Sequence, residues 1–126
     1  MNTRAVLGAI VGLGVIVQIF LGESGLAAGA LRDVHATIGL LGLVIAAGYL
    51  AVNRNNKRLA AITAAILAIT VAQAVMGMGL YGWIRFDIPY RILSESHRGI
   101  AYILFLLGVV ASIIAVRARR AASMPK

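Results

Sequence analysis

Two histidines, His35 and His97, are the residues of this sequence most able to do chemistry. Neutral imidazole is a good iron ligand, and haem iron is commonly held by axial histidine. The chain has no cysteine, which excludes thiolate metal sites, iron–sulfur clusters and disulfides, and zinc prefers about four protein ligands. The pair therefore predicts the two axial ligands of one haem, of the b type first of all. Either histidine alone could be an ordinary polar residue near a helix start.

Small residues follow both histidines at the spacing that a flat porphyrin requires. Gly39 and Ala101 come four residues after His35 and His97, and residues four apart share one face of a helix. A small side chain there would leave room for the porphyrin ring. Small residues are also common where membrane helices pack together, so packing alone is an alternative.

Arginine and glutamine side chains could complete such a site. Arg98 and Arg32 each lie within three residues of a histidine, and the arginine fork suits the anionic haem propionates. Gln18 and Gln73 are expected to bond a propionate, a ligand imidazole or each other. The alternatives are arginines that reach for the lipid headgroups and glutamines that join two helices.

Two acidic residues, Asp33 and Glu95, are weak candidates for catalysis. Each precedes a histidine by two residues, which places it about 200° around a helix and off the ligand face. We expect them, with Ser94, to cap helix starts. Nearby aromatic residues are expected to form an interfacial belt or a lid over the site, with Tyr102 at the ring edge. The belt or lid would comprise Tyr81, Trp83, Phe86, Pro89 and Tyr90.

Four apolar blocks must position these residues. Hydrophobic residues make up 61% of the 126-residue chain and charged residues 13%, which is about half the usual charged share. Each block can cross a hydrocarbon core of about 30 Å, which predicts an all-α membrane protein, a four-transmembrane-helix up-down-up-down bundle. A cleaved signal peptide is the alternative for the first block, although we favour a spanning helix. The blocks are 5–21, 34–52, 59–80 and 100–116.

Charge distinguishes the two ends of the predicted bundle. The formal net charge is +8, with eight basic and no acidic residues on one side and four of each on the other. This bias follows the positive-inside rule, so we expect a prokaryotic cell membrane, cytoplasmic termini and histidines near the outer face. The basic excess indicates attraction to lipid headgroups and not to nucleic acid. The basic side carries Arg4, Arg54, Lys57, Arg58, Arg117, Arg119, Arg120 and Lys126. The tail from Arg117 onward is expected to be disordered.

The two halves of the chain share one pattern. Each reads Gln-x-x-x-Gly, loop, acid-x-His-x-x-Ile-small, apolar span and basic cluster. This predicts a single domain over residues 1–126 with repeat units of about 4–58 and 59–120, each a helix hairpin. His35 and His97 would then open the second and fourth helices at one depth, on diagonal helices. Glutamine and histidine are seventeen residues apart in the first half and twenty-four in the second, which predicts a longer second outer loop.

Together these residues resemble the haem A synthase family, whose usual eight-helix form has two four-helix halves, each with a pair of haem-ligand histidines. The chain looks like one such half through Gln18-x-x-x-Gly22, Gln73-x-x-x-Gly77 and His97-Arg98-x-x-Ala101. The resemblance implies oxidation of haem o to haem a, and a dimer or a second haem to complete the site. The chain departs from the family because its acids stand two residues before each histidine and not three, and because outer-loop cysteines are absent.

Two other functions are open at this point. A b-type cytochrome would carry electrons between a quinol and a protein partner, with haem as a fixed cofactor. A small four-helix transporter would need a membrane-embedded carboxylate in its first helix, and the block 5–21 contains none. The expected partners are membrane lipid, haem, and either a second copy of the chain or a respiratory-chain protein.

Overall fold

The computed structural model of the protein describes residues 3–122, with side chains described for residues 3–118. The described chain is helical, and its four long helices are α1 (Thr3–Glu23), α2 (Arg32–Asn53), α3 (Lys57–Tyr81) and α4 (Tyr90–Ala122). A short 3-10 turn, Leu26–Ala28, lies between α1 and α2. All four helices are long and apolar enough to cross a membrane, with mean hydropathies of 1.9 to 2.6. The prediction of four helices able to span a membrane is confirmed by these lengths and hydropathies.

Local signals in the sequence explain where the third helix begins and ends. The Asn56 side chain accepts a hydrogen bond from the amide of Leu59 (3.2 Å), which is the usual cap of a helix start. Helix α3 ends at Gly82, whose φ of 91° lies in the left-handed region that glycine adopts without strain. Three residues, 54–56, therefore suffice to join α2 to α3.

Helix α4 begins well before its apolar block, 100–116. Its first residue is Tyr90, and the carbonyl of Pro89 accepts a hydrogen bond from the amide of Leu93 (3.2 Å). Proline has no amide hydrogen and is therefore tolerated at a helix start. His97 lies seven residues after the start of α4, so the prediction that it opens the fourth helix is wrong.

The other end of α4 also differs from the prediction. The helix continues to Ala122, so the tail that was expected to be disordered from Arg117 is helical as far as Ala122. The side chains of Arg119 and Arg120 and the whole of Lys126 lie outside the described residues.

The two connections near the histidines are equally long, with eight residues each at 24–31 and 82–89. The predicted longer second loop is therefore wrong. The seven additional residues between Gln73 and His97 lie in helix instead, three of them at the end of α3 and four at the start of α4. Three or four residues make about one helical turn, so each helix is about one turn longer in the second half, and glutamine and histidine point in corresponding directions in both halves.

The four helices form a closed ring in which each contacts two others. Contacts join α1 to α2, α2 to α3, α3 to α4 and α4 to α1, and across residues 3–122 none joins α1 to α3 or α2 to α4. We call the end of the bundle with His35 and His97 the histidine end, and the end with loop 54–56 the basic end. Arg4 at the start of α1 reaches the basic end of α2, where its Nε donates to the carbonyl of Val52 (3.0 Å).

Buried side chains concentrate in the middle of the bundle and towards the basic end. Ile66 and Thr63 of α3 are at most 1% exposed, as is Asn53 of α2. Gly8 permits close approach of α1 to α2, since a Cβ there would lie 3.1 Å from the hydroxyl of Tyr49. The described core at this level comprises Ala46, Tyr49, Asn53, Leu59, Thr63, Ile66, Leu104 and Ala111.

Apolar side chains also cover the outside of the bundle. Val44, Leu13 and Phe20 are between 64% and 71% exposed, on three separate stretches of α1 and α2. Apolar exposure on this scale suits contact with lipid tails and not with water. At the histidine end, by contrast, only Leu21 and Leu93 among the described residues are buried, so fewer side chains are buried there than towards the basic end.

Candidate functional site

The structure brings His35 and His97 together. Their ring centroids are 6.2 Å apart and their planes are inclined at 67°. They project from α2 and α4, whose described backbones make no contact with each other, so the two rings meet across the interior of the ring of helices. Both side chains are half-buried.

The separation of the two imidazoles fits a shared metal ion. A bond from a metal to an imidazole nitrogen is about 2 Å long, so two such bonds in line, with half of each ring added, place the ring centroids roughly 6 Å apart. The Nδ1 atoms of His35 and His97 are buried and have no hydrogen-bond partner among the described residues. Buried polar atoms are rarely left so, and the histidines are therefore not accounted for as ordinary hydrogen-bonded core residues.

Gln18 and Gln73 hold the backbone at the two histidines. The Nε2 of Gln18, from α1, donates to the carbonyl oxygen of His35 on α2 (2.8 Å), and the Nε2 of Gln73, from α3, donates to the carbonyl oxygen of His97 on α4 (2.7 Å). Of the roles expected for these side chains, the joining of two helices is the one that the structure shows. The equal bonds in both halves match the repeated sequence pattern.

The small residues around the histidines have different neighbours. A Cβ on Gly39 would lie 3.0 Å from the Nε2 of Gln18, so this glycine makes room for the glutamine amide. Gly77 faces His97, since a Cβ there would lie 3.6 Å from its Cε1 atom. Ala101 is half-buried on α4. The contact of Gly77 with an imidazole was not expected, although its place in Gln73-x-x-x-Gly77 was a signal for it.

Arg98 belongs to a polar cluster that joins α4 to the end of α1. Its Nε lies 3.7 Å from Oε1 of Glu23, and the hydroxyl of Tyr102 donates to the same carboxylate oxygen (2.9 Å). Tyr102 was expected at the edge of a haem ring, but its hydroxyl points to Glu23 and the residue is 44% exposed. We call Glu23, Arg98 and Tyr102 the α1–α4 cluster.

Arg32 belongs to a second cluster, which joins α2 to the end of α3. The hydroxyl of Tyr81 donates to Oδ1 of Asp33, and the guanidinium of Arg32 lies 4.2 Å from the centre of the Tyr81 ring. The Nε of Arg32 lies 3.9 Å from Oδ1 of Asp33. We call Arg32, Asp33 and Tyr81 the α2–α3 cluster. The two clusters thus join the halves of the chain: the α2–α3 cluster connects α2 to α3, and the α1–α4 cluster connects α1 to α4.

Neither weak catalytic candidate lies in a setting suited to acid–base chemistry on a ligand of the histidines. The side chain of Asp33 is 81% exposed, and that of Glu95 is 56% exposed and accepts from Arg91 (2.9 Å). The expected capping is wrong as well. The cap of α2 is Leu31 without a side-chain bond, although Asp33 does lie in the first turn, and Ser94 and Glu95 lie inside α4.

The aromatic residues of the second connection pack along α3 and α4. The Phe86 ring occupies the space that a side chain at Gly79 would need and lies beside Leu93. Trp83 is 59% exposed, and its ring centroid is 4.4 Å from that of Tyr81. Tyr90 begins α4 and is 67% exposed. Phe86 thus lies against the sides of the two helices at the histidine end.

The described residues contain no group of three histidine, aspartate or glutamate side chains that could hold a metal ion. A metal bound by three or more protein ligands is therefore not supported there, whereas an ion that brings a porphyrin with it needs only the two histidines. No protein-family model, curated protein or solved structure matches the chain.

Proposed function

We propose that this protein is a bis-histidine haem-binding membrane protein, with His35 and His97 as the two axial ligands. The observation that carries the proposal is the 6.2 Å separation of the two ring centroids across the bundle. It is supported by the unpartnered Nδ1 atoms of both rings.

The same proposal includes the topology of the chain in the membrane. Gln18 near the end of α1 meets His35 near the start of α2, and Gln73 and His97 repeat this arrangement. Alternating up and down helices, arranged as two repeated hairpins, account for both contacts. The distribution of basic residues favours cytoplasmic termini and a haem site near the outer face of a prokaryotic cell membrane.

Several residues would serve a bound haem in distinct ways. His35 and His97 would bind the iron, and the glutamine bonds to their carbonyls would hold both ligand-bearing turns in place. Arg98 and Arg32 are the proposed partners of the propionates, in competition with their carboxylate neighbours. Haem held by two histidines supplies one-electron transfer at its iron.

Electron transfer is the activity that the site supports best. Two protein ligands would fill both axial positions of a bound haem iron, and the acids nearest to the histidines in sequence, Asp33 and Glu95, are exposed and engaged by tyrosine and arginine. These features favour the b-type cytochrome, in which haem is a fixed cofactor. A haem A synthase-like oxidation of haem o is the second proposal, and the sequence resemblance alone supports it.

Absorption spectra of purified protein test haem binding. We expect a Soret band and a reduced α-band in the wild type, and their loss in His35→Ala and in His97→Ala. Thr37→Ala is the matched control, because Thr37 lies on α2 two residues after His35 and its hydroxyl bonds only within its own helix (2.8 Å, to the carbonyl of Asp33). Persistence of the Soret band and the α-band in both histidine variants would overturn the assignment of the ligands.

Extraction of pigment separates the two activities. In cells that supply haem o, we expect the purified protein to carry haem b. The amount of haem a extracted from these cells should not exceed the amount from cells that express His97→Ala. Formation of haem a that depends on His97 would instead establish the synthase activity.

A further inference from the structure

A lateral pocket lies between α3 and α4, and one of its lining residues, Ser96, directly precedes His97 in the chain. Its volume is about 340 Å³, which is within the range of small-molecule sites, about 300 to 1,000 Å³. Helix α3 contributes Val75 and Met76 to its wall, the second connection contributes Phe86, and α4 contributes Ser96. The pocket is therefore apolar apart from one hydroxyl group, and an aromatic ring forms part of its wall.

A second groove of similar size differs from this pocket in its distance from His97 along α4. It lies between α1 and α4, has a volume of about 270 Å³, and also contains one serine, Ser112. Ser112 is fifteen residues beyond His97 on α4, or about 22 Å along the helix at 1.5 Å per residue. Ser96 directly precedes His97. Of these two sites, the α3–α4 pocket is therefore the one at the depth of the histidine pair.

The outer side of the α3–α4 pocket carries exposed apolar side chains. Val75, Ile88 and Ile92 are 36%, 47% and 55% exposed, and they line the pocket from α3, the connection and α4 in turn. Phe86 reaches this place because Gly79 has no side chain to displace its ring. A ligand dissolved in the bilayer could enter sideways without crossing a polar surface.

We propose that the α3–α4 pocket binds the ring of a lipid-soluble quinol, which reduces the haem. This inference rests on the proposed haem site. A quinol ring matches the pocket because it is flat and apolar on its faces, offers hydroxyl groups to Ser96, and carries a tail that can stay in the lipid. A lipid acyl chain would gain nothing from the serine or from the depth of the site.

The reaction balances with the haem as the electron acceptor. A bound quinol would give up two electrons and two protons and become a quinone, and the electrons would pass one at a time to a haem held by His35 and His97, so that two haems, or one haem reoxidised between the two steps, would balance the reaction. The O–H bonds of the quinol break, and the protons leave to water at the histidine end, where the adjacent Glu95 is exposed. Reoxidation of the haem passes the electrons to the protein partner of the proposed cytochrome.

Photolabelling with an azido-benzoquinone tests the site without relying on turnover. Purified protein should take up label saturably, in peptides that contain Val75, Phe86 or Ser96, and excess decyl-benzoquinone should compete. Val75→Phe should lower labelling about tenfold by filling the pocket, and Ser96→Ala roughly fivefold by removing one hydrogen bond. Val109→Phe and Ser112→Ala make the same exchanges in the α1–α4 groove and should leave labelling unchanged.

Stopped-flow reduction of the haem by decyl-benzoquinol provides the second measurement. Val75→Phe should slow it about as much as it weakens labelling, while Val109→Phe should not. Labelling that maps to the α1–α4 groove, that a long-chain alkane displaces as well as the quinone does, or that Val75→Phe leaves unchanged would overturn the quinol site. A colourless protein with saturable labelling in the α3–α4 pocket would overturn the haem proposal and support the quinone site, so the two failures are distinguishable.

Discussion

Exchange of Gln73 for leucine tests how the ligand-bearing turn of α4 is held. The variant removes the hydrogen bond from Nε2 to the carbonyl oxygen of His97 (2.7 Å) and keeps a side chain of similar size. That carbonyl lies inside α4, where it also accepts the intrahelical bond from residue 101. No acceptor is left unsatisfied when the glutamine is lost, so the cost is that of one interhelical hydrogen bond in a membrane, about 0.6 kcal/mol and at most about 2 kcal/mol.

The matched control lies one turn earlier on the same helix. The hydroxyl of Thr70 donates to the carbonyl of Ile66 (2.7 Å), within α3, so Thr70→Val removes a hydrogen bond that joins no second helix. We expect Gln73→Leu, and not Thr70→Val, to lower the free energy of unfolding in mixed detergent micelles and to speed haem loss. In the haem-free protein the double variant Gln18→Leu/Gln73→Leu should show additive costs in the free energy of unfolding, because the described parts of α1 and α3 are not in contact.

The outcome that refutes this reasoning is specific. Equal effects of Gln73→Leu and Thr70→Val on stability and on haem loss would show that the glutamine does not hold the turn. A loss well above 2 kcal/mol would show that the amide satisfies more than the single carbonyl.

Three further substitutions and one matched control test the packing and the α1–α4 cluster. Gly79→Ala should cost about 1 to 2 kcal/mol of unfolding free energy, because the new methyl group displaces the Phe86 ring, whereas Gly14→Ala, with nothing within 4 Å, should be neutral or slightly stabilising. Ile66→Ala should cost about 2 to 5 kcal/mol because the residue is 1% exposed. Tyr102→Phe should cost under about 1 kcal/mol, since its carboxylate contact is exposed. Thermal unfolding followed by circular dichroism measures all of these.

Each of these expectations has its own contrary result. A neutral Gly79→Ala would mean that the ring moves aside freely, and a neutral Ile66→Ala would contradict a packed core at that depth. A severe loss of unfolding free energy in Tyr102→Phe would show that the α1–α4 cluster contributes strongly to the stability of the bundle.

The membrane-spanning helices could be predicted because each contains a long apolar block. The start of α4 could not, because its first turns, from Tyr90 to Gly99, are too polar for a hydropathy window although they are helical. Pro89 was the available signal. The extra residues of the second half were assigned to a loop for the same reason, although their number, three in α3 and four in α4, corresponds to about one more turn of each helix.

The histidine pair was predicted as a unit, and the structure places the two rings together. The hydrogen bonds from the glutamines to the histidine carbonyls could not be predicted from the sequence, because they depend on the rotation of one helix against its neighbour. The two tyrosine–carboxylate contacts join residues 48 and 79 positions apart, and no local pattern connects such positions. The sequence predicted that the small size of Gly39 makes room for a porphyrin ring, whereas the group that Gly39 accommodates is the amide of Gln18.

The haem content and spin state of the purified wild-type protein test the central claim most directly. Two histidines at this separation should bind one haem per chain, and electron paramagnetic resonance of the ferric form should show the low-spin signal of an iron with two imidazole ligands. A protein that stays colourless after expression with ample haem, or that binds haem with the high-spin signal of a single axial ligand, would contradict the account.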